Sequence, residues 1–309
     1  MESVLECLPR ASRVAILRLR SLGDCVLTTP ALDILKRARP DLRLAVVVEE
    51  RFRAIFENNP DLDETLPPEA GALRRWRPRL CLNLHGGSRS AWMTAFSGAR
   101  YRAGFSHFRH QFVYNVRIPR AQEILGVERK VHTAEHVASA VFYLGAPICE
   151  VPRAKLSGAG LPACPGQAGR PAPLAIIHPF ATAPAKTWRA DGFLEVAEHL
   201  QQSGLPPVFI GGSADDLSPF RAFRAISGAP LAEIKSVLSG ASLFVGNDSG
   251  PAHMAAALGV PSVVIFGASD PAIWGPWRAV SEVVAAPGGI ARVETAQVLE
   301  ALTRLRVHA

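Results

Sequence analysis

Apolar positions along the chain fall into two kinds of run. "RVAILRLR" (13–20), "LRLAVVVEE" (42–50), "LAIIHPF" (174–180), "PVFIGGS" (207–213) and "SVVIFGAS" (262–269) are short blocks, rich in β-branched residues and without strict alternation. Such blocks predict strands buried on both faces of a parallel sheet. Between them lie helix-like stretches: "CVLTTPALDILKRA" (25–38), "VHTAEHVASAVFYLG" (131–145) and "GFLEVAEHLQQSG" (192–204). A last helix is expected from about Glu294 to Arg306, with Val298, Leu302 and Leu305 on one face. "RLCLNLHGGSRS" (79–90) reads as a strand that runs into a glycine loop. Strands that alternate with helices predict an α/β fold with parallel sheets.

The most informative local pattern is "VGNDSGPAHMAAALGVPSVVIFGASDP", residues 245–271. Leu243 to Val245 closes a buried strand, and Ala252 to Leu258 begins a helix. Ser249 or Gly250 is placed to N-cap that helix, Pro251 suits its first turn, and Gly259 suits the C′ position. In a parallel βαβ unit the free N–H groups of the helix point at the carboxyl edge of the sheet, where anions bind. The plainer alternative is that Asp248 and Ser249 merely cap the helix.

From about Val151 to Pro173 the chain is rich in Pro, Gly and Ala and loses periodicity, as a linker does. It separates an expected domain 1–160 from a second, 161–309; two αβ halves imply two Rossmann-like domains facing a central cleft. "GAGLPA" (158–163) has the letters of a dinucleotide fingerprint, but no strand precedes it, so the motif lacks its context. P-loop, HExxH, GxSxG and zinc-like Cys/His spacings are absent from the sequence.

Composition narrows the picture further. The net charge of +7 over 309 residues points to an anionic partner, which nucleic acid, a phospholipid surface or a phosphorylated substrate would each satisfy. Five scattered cysteines without a CxxC pair argue against a disulfide framework or structural zinc. No run is long and apolar enough to span a membrane, and "MESVLECLPRASR" lacks a signal-peptide pattern, so a cytoplasmic protein is expected.

Several segments together resemble the heptosyltransferase family of bacterial lipopolysaccharide synthesis, glycosyltransferase family 9. They are "LRLRSLGDCVLTTPAL", "NLHGGSRSAWMTAFSGARYRAGF", "HTAEHVASAVFYLGAP", "HPFATAPAKTWRADGFLEVAEHL", "VFIGGS" and "VGNDSGPAHMAAALGVPSVVIFGASDPAIWGPW". The resemblance implies a GT-B architecture, with an acceptor-binding domain 1–160 and a nucleotide-sugar domain 161–309. It implies inverting, metal-independent transfer of a heptose from ADP-heptose to a lipid A–Kdo acceptor. No cofactor is implied, because the ADP-sugar is a substrate. Asp24 of the Gly-Asp pair is implied as general base; its competing role is a helix N-cap. Lys186 is implied as the cation on the departing diphosphate, where positive groups stabilise developing charge. Thr182, Asp248, Ser249, Gly250 and His253 are expected on the donor, His253 having packing as its rival role. Asp216, or its neighbour Asp215, is expected at the nucleotide ribose.

Arg20, Ser21, His85 and Arg109 are expected on the acceptor side. The basic, aromatic stretch "ARYRAGFSHFRHQFVYNVRIPR" (99–120) suits an anionic glycolipid at the inner membrane surface, and no nucleic-acid-binding module accompanies it. A monomer, peripheral on the cytoplasmic face of that membrane, is the expectation. The chain departs from the family pattern at Phe180, usually Gly, and at Arg189, often Pro. The stretch from Gly212 to Leu243 looks too short for the strand expected before "LAEI". The rival readings are a GT-B nucleotide-sugar epimerase or hydrolase, and a non-catalytic relative that binds glycolipid or nucleotide sugar.

Overall fold

A computed structural model describes residues 3–157 and 173–305. The chain forms two compact units, Met1–Lys155 and Leu156–Ala309. The expected boundary at 160/161, "GAGLPA" and Arg306 lie outside the described residues.

The first unit holds strands β1 (Arg13–Leu17), β2 (Arg43–Val47), β3 (Glu64–Leu66), β4 (Leu80–Asn83), β5 (Tyr101–Phe105) and β6 (Val116–Ile118). All pair in parallel, in the order β3-β2-β1-β4-β5-β6. The second unit holds β7 (Ala175–His178), β8 (Pro207–Gly211), β9 (Arg224–Ser227), β10 (Leu243–Asn247), β11 (Ser262–Ile265) and β12 (Ser281–Val284). These too are parallel, in the order β12-β11-β10-β7-β8-β9. Numbered from the start of each unit, both sheets run 3-2-1-4-5-6, the doubly wound Rossmann order. The central strands β4, β7 and β10 are buried throughout, as their unbroken apolar runs require. Strand order reverses between β1 and β4 in one sheet and between β7 and β10 in the other, and ligands of such sheets bind outside the carboxyl ends at that switch point.

Two expectations are corrected. The helix expected over 25–38 is two helices, Leu22–Val26 and Thr29–Ala38. Pro30 has no N–H for the Val26 carbonyl, and the Thr29 hydroxyl donates to that carbonyl instead at 2.9 Å. Asp24 therefore stands in the first turn of a short helix, not in the loop before one. The segment after Gly212 does contain a strand, β9, paired with β8 from Val208↔Arg224 to Gly211↔Ser227. It forms the sheet's edge and is largely exposed, so "RAIS" carries no apolar run to announce it.

The helix Gly250–Leu258 starts and stops as its sequence predicts, with Pro251 in its first turn and Gly259 left-handed at φ +83°. The simple capping alternative fails. Ser249 occupies the N-cap position, but its side chain makes no cap hydrogen bond, and the Asp248 carboxylate is engaged elsewhere.

Candidate active site

In the second unit the switch point brings together the loops after β7 and β10. Asn247, the last residue of β10 and wholly buried, fixes both. Its Nδ2 donates to Pro179 O at 2.9 Å, and its Oδ1 accepts Trp188 N–H at 3.0 Å. The 3₁₀ turn Pro184–Lys186 is seated from the other side by Ala268, whose N–H donates to Ala185 O at 3.1 Å. A Cβ at the neighbouring Gly267 would lie 2.1 Å from that same oxygen, so only glycine lets the two backbones approach.

On this frame Lys186 Nζ donates to Asp248 Oδ2 at 2.9 Å, with Asp248 6% exposed and Lys186 30%. The Ser269 hydroxyl donates to the same carboxylate oxygen. His253 Nε2 lies 4.0 Å from the other oxygen, behind the loop and buried. Ser249 Oγ sits 3.1 Å from Nδ1 of His178, the last residue of β7, whose pKa burial pushes down to about 4. His178 is therefore neutral at pH 7. Gly250 and Ala252 open the helix, where N–H groups lack intrahelical partners and the dipole is positive. A partly exposed ammonium, a hydroxyl and a helix N-terminus thus share one sheet edge, a combination that suits an anionic group.

Thr182 is exposed on the loop that leads to Lys186. The adjacent acids separate: Asp215 Oδ2 accepts Gly212 N–H at 2.7 Å, whereas the exposed Asp216 turns to Ser218 N–H at 2.9 Å. Asp215 is the one whose charge acts on His178, toward the switch point. The two departures from the family pattern have local accounts. Phe180 packs edge-on against His178 and Phe220, and Arg189 lies over Trp188 while donating to Thr295 Oγ1 at 2.7 Å.

The first unit repeats this plan with other side chains. Asn83, buried at the end of β4, accepts His85 N–H at 3.0 Å and Gly86 N–H at 3.1 Å, and donates to Ser90 Oγ and Tyr114 Oη. Asp24 Oδ1 pairs with the buried Arg18 at 3.3 Å. Its Oδ2 accepts the Ser21 N–H at 3.3 Å and the Ser21 hydroxyl at 3.0 Å. The carboxylate thus reaches back to cap its own helix and still faces solvent in part. Asp24 is therefore not the N-cap that the rival reading made it: Ser21 holds that position, and Asp24 is the N3 acid of a capping box with a carboxylate still partly accessible.

His85, Arg20 and Ser21 gather around Asp24. Burial and the Arg18 charge lower the His85 pKa, while the Arg20 backbone and Asp24 oppose them. Arg109 is not brought in: it is exposed on the turn after β5, and among the described residues no hydrogen bond or ion pair ties its side chain to this group. The sequence reading missed Arg18, Asn83, Asn247, Ser269 and His136. His136 stacks on Phe105 with ring centroids 4.2 Å apart. Burial, then His107 and Arg18, push its pKa down to about 4, and Asp24 pulls it up. The only sequence signal for it is its place on the apolar helix Thr133–Leu144.

With this geometry in place, comparison with known proteins is decisive. The model of the family described as glycosyltransferase family 9 (heptosyltransferase) matches residues 71–298. The chain belongs to glycosyltransferase family 9. The matched span takes in His85, Lys186 and Asp248, and Asp24 precedes it. Lipopolysaccharide heptosyltransferase 1 of Pseudomonas aeruginosa is 28% identical over 86% of this chain and 81% of its own length. The solved glycosyl transferase family 9 protein of Veillonella parvula superposes with a TM-score of 0.83 at 22% identity, over 97% of this chain and 98% of that one. Escherichia coli heptosyltransferase WaaC with ADP gives a TM-score of 0.77 at 22% identity, over 95% and 99%. These likenesses establish the α/β, GT-B-type fold, and family membership makes the protein a glycosyltransferase.

Proposed function

We propose that this family 9 glycosyltransferase moves a heptose from ADP-heptose to a lipid A–Kdo type inner-core acceptor, with inversion and without metal or cofactor. The observation that carries the reading is Lys186 on Asp248 beside the helix that Gly250 opens, at the switch point of the second sheet. That the related WaaC was solved with ADP, and that the relatives are named lipopolysaccharide heptosyltransferases, supports the same donor and acceptor class.

In this reading the second unit holds the donor and the first the acceptor. Lys186 keeps two N–H donors beyond the one spent on Asp248, and these with the Gly250 and Ala252 amides face the diphosphate as negative charge builds on it. Asp248, clamped by Lys186 and Ser269, orders the loop and offers its remaining oxygen to a donor hydroxyl. Asp24 removes the proton of the acceptor hydroxyl as its oxygen attacks the anomeric carbon and the C–O bond to the diphosphate breaks. Arg18 keeps that carboxylate oriented. The acceptor would be met at the cytoplasmic face of the inner membrane.

The test is titration with ADP, UDP and GDP in metal-free buffer, followed by a transfer assay with ADP-heptose. Asp24→Asn should retain ADP affinity within about twofold and lose about a hundredfold or more in transfer rate. Preference for UDP or GDP would defeat the donor assignment; undiminished transfer by Asp24→Asn would defeat the base assignment.

A further inference from the structure

The amino edge of the first sheet, at the far end of the strands from Asp24 and His85, carries a row of arginines. Arg13 and Arg43 are register partners at the first positions of β1 and β2. Leu80 pairs with Val14 and with Tyr101, so Arg79 and Arg100, each one residue earlier, continue the same level across β4 and β5. Arg79 N–H donates to Arg13 O at 2.7 Å, and Tyr101 N–H to Arg79 O at 3.1 Å. Arginine therefore stands in register at the first position of two adjacent strands and just before the first position of the next two.

The helix Ala70–Trp76 ends over this row. Arg13 and Arg43 lie over the Trp76 ring, 5.1 and 5.7 Å from its centroid, and Arg13 also donates to Trp76 O at 2.9 Å. Beside them opens a cavity of about 630 Å³, lined by Arg74, Arg75, Arg77, Arg79 and Arg100 with Ser97 on its wall. No acidic residue lines it, and residues 70–122 contain ten arginines and neither Asp nor Glu. All five lining arginines are exposed, and among the described residues none is in an ion pair. Favourable charge at a helix C-terminus accounts for Arg74 and Arg75. It does not account for gathering Arg77, Arg79 and Arg100 onto the same walls, where like charges repel.

We infer that this cavity binds a phosphoryl anion, a ligand with several charged oxygens such as a diphosphate or a phosphorylated headgroup. Guanidinium groups match phosphate oxygens in pairs, and the volume lies in the range of small-ligand sites. The site lies at the amino edge of the first sheet, opposite the carboxyl edge where that sheet's switch point holds Asp24 and His85, so it is an additional binding site of this unit. Phe96, 61% exposed, directly precedes Ser97 on the wall and stacks on the exposed Trp92. The segment that supplies Ser97 to the wall thus also presents two exposed apolar rings, the kind of surface a lipid-borne phosphate would use.

The experiment compares the full-length protein with R79Q/R100Q and with R221Q/R224Q, a charge-matched control on exposed positions of the second unit. Calorimetry with sodium pyrophosphate, run with saturating ADP to fill the donor cradle at Lys186, should show binding that weakens by about tenfold or more per arginine lost, with the control unaffected and ADP affinity equal in all three. Sedimentation with phosphatidylcholine vesicles, with and without phosphatidylglycerol, separates the sources. Phosphatidylglycerol-dependent binding lost in R79Q/R100Q identifies a lipid headgroup; loss of pyrophosphate binding alone identifies a free phosphate. Pyrophosphate affinity and vesicle binding in R79Q/R100Q both equal to those of the control would overturn the site.

Discussion

Lys186 illustrates how much a single residue's setting changes its meaning. A lysine in a Thr-Trp context is ordinarily a solvated surface cation, yet here its ammonium lies 2.9 Å from a carboxylate that is only 6% exposed. Lys186→Ala should weaken ADP binding by about ten- to a hundredfold, the loss expected for one charged hydrogen bond to phosphate. Circular dichroism should show the fold retained, and an unchanged dissociation constant would remove Lys186 from the phosphate. The residues legible in the sequence were those in polar loops between apolar runs, namely Asp24, His85, Lys186, Asp248 and Ser249. Arg18 and Ser269 were not legible, because each acts through a contact the chain makes only when folded: Arg18 directly follows the buried strand β1, and Ser269 reaches Asp248 from the next loop. Arg109 differs from these: it is a basic residue in a suggestive stretch that the fold leaves on an exposed turn, without a hydrogen bond or ion pair to the Asp24 cluster among the described residues.

At the scale of elements, the two asparagines that close β4 and β10 are equivalent. Each is the last residue of the fourth strand of its sheet, each is wholly buried, and each spends its amide on the loops that carry the polar side chains. Asn247→Leu would leave Trp188 N–H and Pro179 O without their partner, at a cost of about 2–4 kcal/mol. Urea unfolding should show that loss, with ADP affinity falling in step because the Lys186 turn is no longer anchored; full stability in the variant would contradict the anchoring role. Elements with continuous apolar runs or a Pro/Gly signature could be placed from sequence alone, as the helix 250–258 was. The break at Leu27–Thr28 was hidden because the helical period carries across it, although Pro30 signals it by denying the Val26 carbonyl a backbone partner, and the folded chain fills that place with a side-chain hydroxyl. Strand β9 was hidden too, since an exposed edge strand has no buried face to write into the sequence.

For the molecule as a whole, one buried histidine, His178, and one half-buried, His136, tie stability to pH. The pKa values of His178 and His136 fall from the ordinary 6.5 to about 4 on folding, chiefly through burial. The unfolded chain therefore binds more protons than the folded one between these values, so stability is full above pH 6.5 and is lost as pH falls toward 4. Scanning calorimetry should find the melting temperature dropping across that window, and the His136→Gln/His178→Gln double variant should lose much of the slope. A slope equal to the wild type would assign it to other groups. The strand order of the two sheets also has a consequence for biosynthesis. In each sheet the switch point joins a unit's first strand to its fourth, so neither cluster exists until the chain has reached Asn83 or Asn247. A ribosome that makes the protein from its amino terminus delivers the Asp24 cluster while the second sheet has yet to be translated. The Lys186 turn, which also waits for Gly267 and Ala268, is among the last parts to find its seat.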